Sequence, residues 1–175
     1  MRVIAGVEGE LRRRLPPAGL RLAYQSAYLA LKPYWLIARP SVVGGKVVVR
    51  NGGDVLLLRH SYARRGVWDL PGGFIDARER AVDAVYRELR EEVGIDPPSL
   101  RCIARESMVT DHRRETILTF VCDVPTRAVT PSPAEVDRAE WFPASALPPN
   151  TTRFTRRMVA RSGWSEPPGR SLPTR

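Results

Sequence analysis

The chain has 175 residues, of which 43% are hydrophobic and 27% charged, with 28 Lys and Arg residues against 19 Asp and Glu residues. This composition excludes disorder along the whole chain and predicts one globular domain, because a chain of this length buries roughly 70% of the surface that its unfolded form exposes. The two cysteines, Cys102 and Cys122, show no zinc-type spacing, and we expect reduced core thiols rather than a disulfide. The first residues do not resemble a secretory signal, so we expect a cytoplasmic protein.

The basic excess belongs to the two ends of the chain. Residues 1–40 carry seven basic and two acidic residues, and residues 151–175 carry six and one, whereas residues 41–150 carry 15 and 16. We therefore divide the chain into a basic N-terminal helical segment at 1–40, a catalytic domain at 41–150 and a basic tail rich in Pro and Arg at 151–175. Such ends can contact RNA or anionic lipid, or support a homodimer.

A helix is predicted between Ala18 and Ala38, where apolar residues recur at spacings of three and four until Pro33 interrupts them. The pattern contains too many polar residues for a membrane span. Two interpretations stay open: the helix packs on the domain or a partner subunit, or it lies on anionic lipid, helped by the arginines at 12–14. The repeating residues are Leu20, Ala23, Tyr24, Ala27, Tyr28 and Leu31.

A β-hairpin follows, with strands at 46–50 and 54–59 joined by Asn51-Gly52-Gly53. Two further β-rich runs occupy 100–109 and 115–124, with a charged turn from Asp111 to Arg114 between them. Because the strands do not alternate regularly with helices, the pattern indicates a mixed α/β domain.

The strongest helix signal runs from about Arg80 to Val93. Asp76 and Glu79 before it resemble a capping box. A short helix is predicted at 144–147, and the chain from Pro148 on is expected to be extended or loosely ordered, with three residues that could dock it. Those residues are Phe154, Met158 and Trp164.

Three glutamates of this helix, Glu88, Glu91 and Glu92, lie at positions i, i+3 and i+4, which places them on one stripe. The stripe is either a solvated acidic surface neutralised by Arg87 and Arg90, or a site for a hard divalent cation. The run from 68 to 75 favours the cation, because its double glycine, Gly72-Gly73, lets the backbone approach a metal or a phosphate closely.

Residues 73–95 resemble the signature of the Nudix hydrolases at every defined position. Gly73 is followed after five residues by Glu79, and after seven more by Arg87-Glu88-Leu89-Arg90-Glu91-Glu92-Val93-Gly94-Ile95. The runs Trp68-Asp-Leu-Pro-Gly and Glu140-Trp-Phe-Pro143 also resemble the family, so the likeness covers about 42–148.

The resemblance implies an α/β (α+β) Nudix fold, in which a mixed sheet is sandwiched between helices, here with an extra N-terminal helix. It implies an enzyme that cuts a phosphoanhydride bond in a nucleoside diphosphate linked to another group, with Mg²⁺ or Mn²⁺ as cofactor. The expected partner is therefore a nucleotide-type small molecule, such as a nucleotide, a nucleotide sugar or a dinucleotide.

The same resemblance assigns roles to individual residues. The implied metal ligands are Glu88, Glu91, Glu92 and the carbonyl of Gly72, and the implied supporting residues are Gly73, Glu79 and Arg87. The implied catalytic residues are Glu88, Glu92 and Glu135, and the base that activates water stays open between Glu88 and Glu135, with Glu115 and Glu140 as weaker candidates. For the substrate we predict contacts from Arg59, Arg64 and Phe74.

Secondary signatures of several Nudix branches are absent from the sequence. The chain has no Ser-Gln-Pro-Trp-Pro-Phe run after residue 95, as enzymes acting on NADH have, and it has Thr110, Asp111 and His112 where other branches carry Pro or Tyr. The substrate class therefore stays broad. Two alternatives are an RNA 5′-end pyrophosphohydrolase that grips RNA with its basic ends, and a Nudix protein that senses a nucleotide without cutting it.

Overall fold

One mixed five-stranded sheet organises the computed structural model, which describes residues 16–61, 66–110 and 113–163. The strand order is β3-β4-β1-β2-β5, with β1 parallel to β4 and the other neighbours antiparallel. The predicted mixed α+β fold is thereby confirmed. In chain order the elements are α1 Pro17–Ala38, β1 Ser41–Asn51, β2 Asp54–His60, α2 Ala81–Val93, β3 Arg101–Thr110, β4 Arg113–Asp123, β5 Val136–Pro143 and α3 Arg153–Arg161.

The sheet has a hydrophobic cluster on each face, because side chains alternate along a strand. From β1, Val47 and Val49 join Val85 and Leu89 of α2 on one face, while Val48 joins the cluster on the other face. That second cluster includes Met158 of α3, Trp68 and Leu70. The predicted arrangement of a sheet between helices is therefore present.

The N-terminal half of β1 pairs with the segment that carries the double glycine. The amide of Gly45 donates to the carbonyl of Gly73 at 2.9 Å, and the amide of Ile75 donates to the carbonyl of Val43 at 2.9 Å. A Cβ atom at Gly45 would lie 2.5 Å from Cγ2 of Val85, so a glycine here lets α2 pack close to the strand. These contacts place residues 71–75 directly beside α2.

The two long predicted helices are present within a residue of their expected bounds, but two local expectations are wrong. Pro33 does not interrupt α1, which runs to Ala38. Arg80 occupies the capping position of α2 without a side-chain cap, so Asp76 and Glu79 form no capping box. The carboxylate of Glu79 accepts hydrogen bonds from Arg87 instead.

The expectations for the C-terminal part also need correction. Residues 153–161 form α3 rather than a loose tail, because Met158 and Val159 are buried on the sheet and the hydroxyl of Thr152 caps the helix by accepting from the amide of Thr155 at 3.0 Å. The predicted helix at 144–147 is a turn, in which the amide of Ala146 donates to the carbonyl of Pro143 at 2.9 Å. Trp164 lies outside the described residues.

Both cysteines are free thiols, as expected. Cys122 of β4 is buried, but Cys102 is exposed, so the prediction of a core thiol is wrong there. Cys102 lies on the edge strand β3, beside an irregularity in register between residues 102 and 104. A bulge of this kind on an edge strand turns side chains away from their regular alternation.

Candidate active site

The three glutamates of α2 lie between the core and the solvent beside the turn at 72–74. The side chain of Glu92 is 2% exposed, that of Glu88 is 16% exposed and that of Glu91 is 36% exposed. The three glutamates predicted to share one stripe therefore differ in burial: Glu91 is the most exposed, Glu88 is mostly buried, and Glu92 is inside the protein rather than on a solvated surface.

Gly72 connects this turn to Glu92. Its amide donates a 2.8 Å hydrogen bond to Oε2 of Glu92. Gly72 has a φ of 132°, and a Cβ atom there would lie 2.1 Å from the carbonyl oxygen of Gly45. Because a side chain would collide with backbone that cannot move aside, only glycine fits between β1 and α2 at this position.

Gly73 leaves room for the carboxylate of Glu88. A Cβ atom at Gly73 would lie 2.6 Å from both Cδ and Oε1 of Glu88. The two adjacent glycines therefore serve different contacts: Gly72 is confined by backbone, and Gly73 lies against a functional side chain.

The guanidinium of Arg87 contacts three carboxylates. Its Nε and Nη2 atoms each donate to Glu79 at 3.1 Å, and its Nη1 atom donates to Oε1 of Glu88 at 2.8 Å. Nη1 also lies 3.7 Å from Oε2 of Glu91, as expected for residues four apart on a helix. Hydrogen bonding to Arg87 is the main reason that the pKa of Glu79 is lowered.

Burial raises the pKa values of the two deeper glutamates. The pKa of Glu88 is raised to about 7 by burial, against the opposing charge of Arg87, with further repulsion from Glu91 and Glu135. The pKa of Glu92 is raised well above its usual value by burial, with Lys46 opposing and Glu88 and Glu135 adding to the shift. Negative charge in this part of the molecule is therefore incompletely compensated by the cationic side chains around it.

Glu135, which is 7% exposed, lies near enough to act electrostatically on both of these glutamates. The loop before β5 carries it there. The carbonyl of Glu92 accepts from the amide of Ser132 at 2.8 Å, and the amide of Ser61 donates to the carbonyl of Glu135 at 2.8 Å. The structure thus brings Glu135 close to Glu88 and Glu92 of α2.

His60, for which the sequence predicts no role, contacts Glu92. Its Nδ1 atom lies 3.4 Å from Oε1 of Glu92. Burial, with a smaller contribution from the charge of Lys46, lowers the pKa of His60 to about 4, so the imidazole is neutral at pH 7. The pairing of β2 with β5 shifts in register between Arg59 and His60. No local sequence pattern predicts that shift.

Lys46 and Asp69 form a second polar connection that the sequence analysis missed. Nζ of Lys46 lies 3.1 Å from Oδ2 of Asp69 and donates to the carbonyl of Leu70 at 2.9 Å. Oδ1 of Asp69 accepts from the hydroxyl of Thr155 in α3 at 2.5 Å. The sequence feature that could have indicated this pair is Lys46 itself, a single lysine within an apolar strand and one of only two lysines in the chain.

Comparison with known proteins decides the family. The model of the NUDIX domain matches residues 39–162. The chain belongs to the Nudix family. The likeness first seen in residues 73–95 is confirmed, and the match extends through α3.

Curated Nudix relatives are longer than this chain. The NAD-capped RNA hydrolase NudC of Pseudomonas aeruginosa is 32% identical over 135 residues, which are 73% of this chain and 47% of that protein. The NAD-capped RNA hydrolase NudC of Deinococcus radiodurans is 29% identical over 154 residues, which are 87% of this chain and 50% of that protein. The chain therefore spans about half the length of these relatives.

Solved Nudix structures show the same fold. A MutT NUDIX hydrolase from Burkholderia pseudomallei matches with a TM-score of 0.64 and 24% identity, covering 70% of this chain and 98% of that one. The NUDIX domain of Shewanella oneidensis NrtR, complexed with ADP ribose, matches with a TM-score of 0.62 and 20% identity, covering 70% and 86%. At these identities the likeness establishes the fold alone.

The three predicted substrate residues have different positions in the Nudix domain. Phe74 is 40% exposed, and its carbonyl accepts from Nη2 of Arg87 at 3.4 Å, so it borders the glutamates. Arg59 pairs with Asp137 at 2.7 Å and lies over the ring of Trp68, in the cluster on the α3 face. Arg64 lies outside the described residues.

The side chains of Glu88, Glu91 and Glu92 do not form a complete set of metal ligands as they stand. Within residues 16–61, 66–110 and 113–163, no three His, Cys, Asp or Glu side chains are grouped so that they could hold a metal ion. Glu92 is bonded to the amide of Gly72, and Glu88 is bonded to Arg87. The donor chemistry nevertheless fits a hard divalent cation, since the oxygen atoms nearby belong to carboxylates and backbone carbonyls.

Proposed function

We propose that this Nudix protein hydrolyses a phosphoanhydride bond in a nucleoside diphosphate linked to another group, with Mg²⁺ or Mn²⁺ as its cofactor. The observation that carries the proposal is the gathering of Glu88, Glu91 and Glu92 beside the Gly72-Gly73 turn. Membership of the Nudix family supports it independently.

Glu88, Glu91, Glu92 and the carbonyl of Gly72 would hold the cation. When bound, it would neutralise the diphosphate and make a water molecule more acidic. The raised pKa values of Glu88 and Glu92 support this assignment, because an added cation would supply the positive charge that Arg87 and Lys46 provide only in part.

Arg87, Glu79 and Gly73 would support the site. Arg87 holds Glu88 through one nitrogen while two others are held by Glu79, so the pair limits the orientations open to the Glu88 carboxylate. Gly73 leaves the space that this carboxylate occupies.

A carboxylate would accept a proton from water as the water oxygen attacks phosphorus. The anhydride oxygen would leave with the bonding electrons, which gives two phosphate products. Glu88 is one candidate, because Arg87 holds its carboxylate against the Gly72-Gly73 turn. Glu135 is a second candidate, because it is buried and lies close enough to Glu88 to raise its pKa. Glu92 is already bonded to Gly72, which favours a ligand role for it over that of the base.

Phe74 would stack on the nucleoside base, because it is exposed beside the glutamates. Roles for Arg59 and Arg64 in binding phosphate stay predictions. The proposal includes a cytoplasmic location and assembly as a homodimer.

RNA carrying a nucleotide at its 5′ end is a second candidate substrate. It is favoured by the relatives named NAD-capped RNA hydrolases and by the basic ends of the chain. The missing Ser-Gln-Pro-Trp-Pro-Phe run argues weakly against the branch that acts on NADH.

A substrate panel tests the proposal. The full chain would be incubated with NADH, ADP-ribose, nucleotide sugars, dinucleoside polyphosphates, nucleoside triphosphates, 5′-triphosphate RNA and NAD-capped RNA, with Mg²⁺, Mn²⁺ or EDTA. We expect release of nucleoside monophosphate, or of a shortened 5′ end, that requires the metal. Binding of a nucleotide without cleavage of any member would favour the sensor alternative and contradict the proposal.

A further inference from the structure

α1 presents an apolar stripe to solvent. Leu22, Leu29 and Leu36 lie seven residues apart, so helical periodicity places them on one side of the helix. Their exposed fractions are 65%, 63% and 52%, and the neighbouring Ile37 is 84% exposed. Leu20 of the same helix is 7% exposed, and helical periodicity places it on the side opposite to the leucine stripe.

The charges of this segment are all of one sign. Residues 11–40 contain six basic residues and no acidic residue. Arg21 and Lys32 are eleven residues apart, three turns of helix, which places both positions on the same flank of the leucine stripe. An exposed apolar stripe flanked by basic positions is the pattern of a helix that lies in the plane of a membrane surface.

We propose that α1 docks on an anionic lipid surface, with the leucine stripe entering the interface and the basic residues at the lipid phosphates. Two residues, 39 and 40, separate α1 from β1, so docking would hold the Nudix domain at the surface. No helix of the described residues is long and apolar enough to cross a membrane.

Other occupants fit these observations less well. A second copy packed along the stripe would bring two cationic helices together, and α1 has no acidic residue to offset their repulsion. RNA would use the positive charge but would leave the leucines exposed to water. Anionic lipid satisfies both features at once.

Vesicle sedimentation of the full chain tests the proposal. Phosphatidylcholine vesicles containing phosphatidylserine would be compared with vesicles of phosphatidylcholine alone. We expect binding to the anionic vesicles that weakens with salt, and a loss of at least about tenfold in the triple variant Leu22→Gln, Leu29→Gln, Leu36→Gln. The control is Val109→Gln, which changes an apolar residue that is 75% exposed outside α1.

Three results would overturn the proposal. The first is unchanged vesicle binding by the triple variant with native circular dichroism. The second is absence of vesicle binding by the wild-type chain. The third is a dimer in sedimentation velocity that the same triple variant dissociates, or RNA binding that depends on the leucines, because either places a different partner on the stripe. Hydrolysis of a soluble substrate should be the same in all these variants, which separates this test from the proposed activity.

Discussion

The amide of Gly72 and the carboxylate of Glu92 are joined by a 2.8 Å hydrogen bond across twenty residues of sequence. The bond fixes the double-glycine turn to the buried side of α2. To make this bond, the turn has to enter the narrow space between β1 and α2. That space explains both the φ of 132° at Gly72, which favours glycine, and the burial of Glu92.

The two glycines of the turn should respond differently to a methyl group. In Gly73→Ala the new Cβ meets the end of the flexible Glu88 side chain, so we expect hydrolysis to fall at least about tenfold with little loss of stability. In Gly72→Ala the Cβ meets the backbone of Gly45, and unfolding free energy should fall by at least about 2 kcal/mol.

Denaturant unfolding and initial rates, measured on the same samples, check this pair. Gly44→Ala is the control, since its Cβ would make ordinary contacts at 3.5 Å and 3.6 Å. If Gly73→Ala loses as much stability as Gly72→Ala, the proposed contact between Gly73 and Glu88 is not what restricts this position.

The identity of the base can be tested by comparing Glu88→Gln with Glu135→Gln at saturating Mg²⁺. Loss of a general base costs about 10²- to 10⁴-fold in rate. We expect the larger loss in Glu88→Gln, because Arg87 holds this carboxylate beside the Gly72-Gly73 turn and it is also a proposed metal ligand. Full activity in Glu135→Gln would end its candidacy, whereas a loss confined to Glu135→Gln would transfer the role to the loop.

Lys46 and Asp69 should stabilise the fold as a pair. Both side chains are mainly buried, at 18% and 27% exposure. Removing either partner by Lys46→Met or Asp69→Asn should therefore cost about 1–3 kcal/mol, below the roughly 3–5 kcal/mol of a fully buried pair. A double-mutant cycle by urea unfolding measures the coupling, and a coupling near zero would show that the two side chains act independently.

The cost of Asp69→Asn should depend on pH. Burial alone would raise the pKa of Asp69, but the charge of Lys46 and the hydrogen bond from Thr155 outweigh it, and the pKa is lowered. The contribution is therefore present above the unfolded pKa of about 3.9 and is lost as pH falls through the lower folded value. The stability difference from wild type should narrow in strong acid, and a difference independent of pH would contradict this origin.

The two cysteines should differ in reactivity. Cys102 is exposed, whereas burial raises the pKa of the Cys122 thiol to about 12. In a dithiobis-nitrobenzoate assay at pH 8 we expect one thiol to react in the native protein and the second only in denaturant. Cys102→Ser should abolish the native reaction, and a native reaction of both thiols at equal rates would contradict the burial of Cys122.

The site was predictable where local rules govern it. The offsets of Glu88, Glu91 and Glu92 place them on one side of a helix whatever the rest of the chain does. Their unequal depth was not predictable, because it depends on where the glycine turn crosses β1. His60 reaches Glu92 at a register shift that leaves no local trace in the sequence.

Alternation along β2 indicates which face Arg59 occupies, since Leu57 packs on the α3 side of the sheet and Leu58 packs against α2. The loose tail expected after residue 148 was an error with a physical cause. α3 was not predicted because its only two buried apolar residues, Met158 and Val159, lie among arginines in a nine-residue helix. A segment this short is helical chiefly through tertiary packing.

The most direct test of the proposed centre compares metal-dependent hydrolysis by Glu91→Gln and Glu92→Gln with that of wild type, on the best substrate of the panel. Asp83→Asn is the matched control, because Asp83 is a carboxylate of the same helix whose side chain is 55% exposed and pairs with Arg80. We expect each glutamate variant to lose well over tenfold in rate, with native circular dichroism and a raised Mg²⁺ requirement, while Asp83→Asn keeps the wild-type rate. Wild-type turnover in both glutamate variants would contradict the assignment of the metal to α2.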